Sequence, residues 1–189
     1  MGSALQYLRA PRGCRAIRHQ REGRLEGAIM DVNFFGNTDI ELPDKYREYF
    51  HRYCLTRTEG SRNDPESSPF PRMVDMWFLA MCFAVNLGLE PVLKPEGKLY
   101  KAIEGAVFGS DPWRSNAMML VAIGYTGNIN TARDPNEMMR LANGFAIAGL
   151  PHLITRLEER GGDTALDHLS DEVSEVIAAA AKGQPGHKG

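Results

Sequence analysis

The chain predicts an all-α fold: a single-domain bundle of six to seven helices with at most a short N-terminal hairpin. Three observations predict it. Apolar residues recur at three- and four-residue steps through most of the chain. Helix-opening signals stand at Asp111-Pro112 and Asp134-Pro135. Clusters rich in Gly, Pro and Asn punctuate these stretches, and no internal repeat or linker divides them. The 189 residues, 43% hydrophobic and 24% charged, suffice for one well-buried core with tails.

Each element follows from local pattern. "VNFFGNTDIEL" alternates around Gly36-Asn37 and predicts a small hairpin or an extended segment. "LPDKYREYFHRYCLTRT" predicts a helix over about residues 43–58, with Tyr46, Phe50, Tyr53, Cys54 and Arg57 on one side. Residues 59–69, "EGSRNDPESSP", are a loop by composition. "SSPFPRMVDMWFLAMCFAVNLGL" (67–89) predicts a helix entered at Pro69–Pro71 and stopped by Gly88. It is apolar on all sides, the mark of a central buried helix.

Leu99, Ala102, Ile103, Ala106 and Val107 share helical spacing and predict another helix. Asp111 as cap and Pro112 at the first helical position open the next. Asp134 and Glu137 form a capping-box pattern, and Gly149 with Pro151 is expected to break or kink the helix that follows. Finally, Leu166, Leu169, Val173, Val176, Ile177 and Ala180 line one face of a C-terminal helix, with acids on the other. These elements make residues 30–183 the helical domain and 184–189 a flexible tail.

Residues 1–29 differ in kind. They hold six arginines against two glutamates, +4, which leaves 16 cations and 22 anions, −6, for the remainder. The arginines recur every third residue, and a step of three drifts around a helix rather than forming a face. Pro11, Gly13, Gly23 and Gly27 also oppose a helix, so a disordered Arg-rich leader is expected. It reads either as a basic arm for DNA phosphates or as a leader upstream of Met30, the natural start of the domain.

Several classes lose support. No apolar run reaches bilayer length, so no membrane partner is expected. The N-terminus has no secretory apolar core, and three cysteines without CxxC spacing read as reduced thiols of a cytoplasmic protein. Phosphate-loop, dinucleotide, zincin and nucleophile-elbow motifs are absent.

Four constellations could carry chemistry. Asp75 is an acid in an otherwise apolar run, where an unpaired carboxylate would cost several kcal/mol. It needs either a structural cation, from Arg72 or from another helix, or a role as the functional acid on the floor of a site. Asp44, Glu48 and His51 share a face opposite the aromatic stripe. An acid beside an imidazole suits general acid–base work, and a charged face is also what solvent selects. Asp64 and Glu66, two apart in a loop, suit Mg²⁺, as Asp39 and Glu41 would if their segment is extended. Arg52, Arg57, Arg62 and Arg72, interleaved with Tyr49 and Tyr53, could grip phosphates and stack on bases.

"PFPRMVDMWFLAMCFAVNLGL", with the preceding "DIELPDKYREYF" helix, resembles the SspB-like family, the B component of bacterial Ssp-type DNA phosphorothioation systems. The resemblance covers about residues 30–95. It implies a Mg²⁺-dependent DNA nickase in sulfur modification and anti-phage defence, with a cysteine desulfurase and ATP-using components as partners. On that reading Glu48, His51 and Asp75 are the catalytic candidates, Asp64 and Glu66 the metal ligands, and Arg52, Arg57, Arg62 and Arg72 the DNA contacts. The alternatives are a non-catalytic DNA-binding or assembly subunit, similar to the nick-binding component of Dnd systems, and a helical protein-interaction module. A homo-oligomer is compatible with each.

Overall fold

The computed structural model describes residues 34–55, 68–159 and 164–182. The expected leader, its boundary at Met30 and the tail at 184–189 lie outside those residues. In chain order the elements are β1 (Ile40–Pro43), α1 (Arg47–Tyr53), α2 (Met73–Asn86), β2 (Leu99–Ile103), α3 (Pro112–Thr126), α4 (Pro135–Glu158) and α5 (Ala165–Ala181). Short 3-10 segments occupy Asp44–Tyr46, Gly105–Ser110 and Ile129–Arg133. The described body is mostly helical, as its periodicity predicts, with one small two-stranded sheet.

The core forms where α2 packs along α4. Val74, Met76, Trp77, Ala80, Met81 and Ala84 of α2 are buried, and so are Met138, Leu141, Ala142, Phe145, Leu150 and Leu153 of α4. The two backbones touch at Gly149: a Cβ there would fall 1.9 Å from the Ala80 carbonyl oxygen, so only glycine fits. The helix runs continuously through Gly149 and Pro151, so of the expected break or kink the break does not occur. A proline inside a helix costs about 3 kcal/mol in isolation, and the continuous contact with α2 overrides it. Its start agrees with the sequence, since Asp134 accepts from the Asn136 and Glu137 N–H groups. Glu137 does not reach back as a capping box would; its carboxylate takes Arg140 instead.

Tertiary partners overrule local pattern elsewhere too. The helix expected over residues 99–107 is strand β2 followed by a 3-10 segment. Five residues are too few to separate the two periods, and a strand partner decides between them. That partner is β1, which pairs antiparallel with β2 in the register Glu41↔Lys101, Leu42↔Tyr100 and Pro43↔Leu99. Of the two readings of that stretch, the extended segment forms at β1, its partner is the distant β2 instead of a local strand, and the Gly36-Asn37 region serves as a turn. Gly105 permits this closure, since a Cβ there would lie 2.1 Å from the Phe35 carbonyl oxygen.

Edge-to-face contacts of Phe108 with Phe35 (5.4 Å) and Trp77 (5.8 Å) tie the turn to α2. α1 ends at Tyr53, earlier than expected, because Cys54 is extended and bridges to Phe70. Nor is α2 buried on every side. Cys82, Val85 and Asn86 of its outer face are exposed, although neither face carries charge beyond Asp75.

Candidate functional site

The chain leaves α1 and returns towards α2 at one place. Leu55 N–H donates to the Phe70 carbonyl (2.8 Å), Phe70 N–H to that of Tyr53 (3.1 Å), and the Ser68 hydroxyl to that of Arg52 (2.8 Å). The residues that flank positions 56–67 are thereby held side by side. Arg57, Arg62, Asp64 and Glu66 belong to that segment and lie outside the described residues.

Arg52 stands at its base with a 59% exposed side chain, 5.2 Å from the Tyr53 ring centroid and 4.0 Å from a Glu158 carboxylate oxygen. A pair this long and exposed holds the guanidinium only weakly. Glu48 and His51 are exposed one turn apart on α1, on the face the sequence assigned them. Asp44, expected beside them, gives its carboxylate to Arg47 Nε (2.8 Å) and Nη2 (2.7 Å).

Asp75 finds its cations. In the first turn of α2, its carboxylate accepts from Arg72 Nη2 (3.0 Å) and Nε (3.3 Å) and from Arg114 Nη2 of α3. Asp111 accepts from Arg72 Nη1 (2.9 Å) and from Arg114 Nη1. Two carboxylates and two guanidiniums therefore form a closed, electrically neutral ring that joins the N-termini of α2 and α3. Arg114 is buried, with its side chain 8% exposed, and lies near the rings of Trp113 (4.4 Å) and Phe78 (5.5 Å), which also touch each other edge-on. The hydrogen bonding that Arg72 donates to Asp75, more than its contact with Asp111, raises Arg72 above its ordinary pKa. Asp75 also helps to push the buried Cys54 thiol up to about 12, although burial is the larger cause.

The ring draws in both members of the alternative left open for Asp75, the neighbouring arginine and one from another helix. Sequence reasoning took Asp111 as the cap of α3. It occupies that position, but its side chain makes no capping hydrogen bond and serves the ring. Arg114 was missed as the partner. The available signal was an arginine three residues after an acid at the start of a helix with no other charge.

The catalytic candidates occupy two places: Glu48 and His51 on exposed α1, and Asp75 inside the ring. Of the DNA-contact candidates, Arg52 has the freer guanidinium, whereas the 43% exposed Arg72 is engaged with both ring carboxylates. Asp39 and Glu41 do share one cleft, as an extended segment implies. Asp39 is already occupied by Lys101 Nζ (2.8 Å) and the Gly105 N–H (3.2 Å), the first being the stronger reason its pKa is lowered.

Among the described residues, no three His, Cys, Asp or Glu side chains are grouped to hold a metal ion. None of the described helices is long and apolar enough to cross a membrane. Comparison with protein-family models, with curated proteins and with solved structures finds no match to this chain.

Proposed function

We propose that the protein is a DNA-binding component of a DNA sulfur-modification and phage-defence apparatus, acting with a cysteine desulfurase and ATP-using partners. The supporting observation is the hydrogen-bonded base of the 56–67 segment. Arg52 stands at that base, and Arg57 and Arg62 follow it within ten residues of sequence. These guanidiniums would neutralise backbone phosphates and release counterions, giving affinity without sequence preference. The neutral ring contributes no net charge to the contact. It ties the N-termini of α2 and α3 together.

Nicking by metal-assisted phosphodiester hydrolysis is the second reading, favoured by the presence of Asp64 and Glu66 on the same segment. Two carboxylates would hold Mg²⁺, which when bound supplies charge stabilisation at the scissile phosphate. His51, in the last turn of α1 before the segment, would accept the proton of the attacking water, with Glu48 beside it.

Supercoiled plasmid incubated with the full chain in Mg²⁺ and in EDTA tests both readings. Binding that weakens with salt, and whose log–log slope falls by about 2–3 in an Arg52→Ala, Arg57→Ala, Arg62→Ala variant, is the expected result. Relaxed circles formed only with Mg²⁺, and lost in Asp64→Asn, would establish nicking. A salt slope unchanged by the triple substitution would refute the segment as the DNA contact.

A further inference from the structure

Between residues 37–41 and α4 lies an open cleft of about 420 Å³. That volume is within the range of small-molecule sites. One of its polar groups is anchored on the core, and two more are hydrogen-bonded at its surface. Asn143 accepts from the indole N–H of the fully buried Trp77 (3.0 Å) and donates to the Glu41 carbonyl (2.9 Å), which leaves its second amide hydrogen free. Asn136 accepts from the Thr38 hydroxyl (3.4 Å) and keeps its amide NH2 unspent. Arg140 is fixed to Glu137 through Nε and Nη2, both at 2.7 Å, so Nη1 remains available. Three available donors thus line one cleft.

The charges are unequal. Lys101 neutralises Asp39 (2.8 Å) and reaches Glu104 (3.4 Å), and Glu137 neutralises Arg140. Glu41 lines the same cleft with an exposed carboxylate for which no ion pair forms within 4.0 Å, although Lys101 is its partner across the ladder. The cleft therefore joins one uncompensated carboxylate to several hydrogen-bond donors. A phosphate would be repelled by Glu41, and a neutral ligand would desolvate it without recompense.

We propose that this cleft binds an α-ammonium group together with its adjacent carbonyl or carboxylate. The ammonium pairs with Glu41, and the oxygen accepts from Arg140 Nη1 and the two asparagine amides. Free amino acids and the first residue of a polypeptide share this chemistry.

Titration of the full-length ¹⁵N-labelled protein with three probes tests the assignment. L-Alanine represents the free amino acid, L-alaninamide a chain terminus, and N-acetyl-L-alaninamide lacks the ammonium. The expected result is saturable movement of the amide signals of residues 37–41 and of the Asn136 and Asn143 NH2 signals with one or both of the first two probes only. The tighter of the two identifies the source. Glu41→Gln, at an unchanged melting temperature, should weaken the response about 10-fold or more. Should that variant fail to fold, Arg140→Gln removes the opposite anchor and should weaken the response likewise. The inference is overturned by the absence of saturable movement at about 10 mM probe, tenfold above a millimolar Kd. An equal response to the acetylated probe, or unaltered affinity in the substituted protein, overturns it as well.

Discussion

Replacing Asp75 with asparagine separates structure from chemistry at the ring. The substitution keeps the shape of the side chain but removes its charge, and it can turn an NH2 group towards the guanidiniums. Three donor nitrogens lose their carboxylate, and the ring passes from neutral to +1. Arg72 is nearly half exposed, so its share of the loss is at most about 1 kcal/mol. Arg114 is buried and keeps only Asp111, which Arg72 also uses. Stripping one partner from a buried pair costs about 3–5 kcal/mol, and the surviving carboxylate moves the expectation to about 3 kcal/mol.

For a domain of this size that corresponds to a fall in Tm of about 6–12 °C. Urea unfolding followed by circular dichroism measures the loss, with Trp113 fluorescence as a local reporter because that ring lies against Arg114. A double variant, Asp75→Leu with Arg114→Met, should recover most of it, since no buried charge then remains unpaired. Activity per folded molecule should be unchanged. A loss under about 0.5 kcal/mol, or strict additivity in the double variant, would refute the structural reasoning. Stability held while plasmid nicking collapses would make Asp75 a reacting group instead.

Other expectations follow from close contacts. Gly149→Ala drives a methyl group into the Ala80 carbonyl, and should cost about 3 kcal/mol or prevent folding, as thermal melting would show. Asn143→Ala leaves the Trp77 indole N–H and the Glu41 carbonyl without their partner, at about 1–3 kcal/mol for each group that water cannot reach; chemical denaturation measures it. Cys82 has an exposed surface, yet desolvation pushes its thiol up to about 11. With Cys14 replaced by serine, its alkylation by iodoacetamide at pH 8 should be on the order of 100-fold slower than in urea, and should accelerate as the pH rises towards 11.

The helical character of the chain, the positions of α2, α3 and α5, the start of α4 and the Asp134 cap were all legible in the sequence. Each depends on residues within one or two turns of one another, so spacing and capping chemistry suffice. The unusual demand of Asp75 was legible as well, because an acid among apolar neighbours needs either a structural cation or a place in a site. Which cation it found was not. Arg114 lies 39 positions away and reaches Asp75 only because α2 and α3 bring their N-termini together. β1 and β2, some 60 residues apart, likewise became strands through each other, and β2 read alone fits a helix equally well. Gly149 and Pro151 looked like breakers because local propensity cannot register the α2 backbone against which the glycine packs. The cleft at Glu41 belongs wholly to the tertiary structure. Its carboxylate and its amides come from segments about a hundred residues apart, and only the packing of β1 against α4 places them in one cavity.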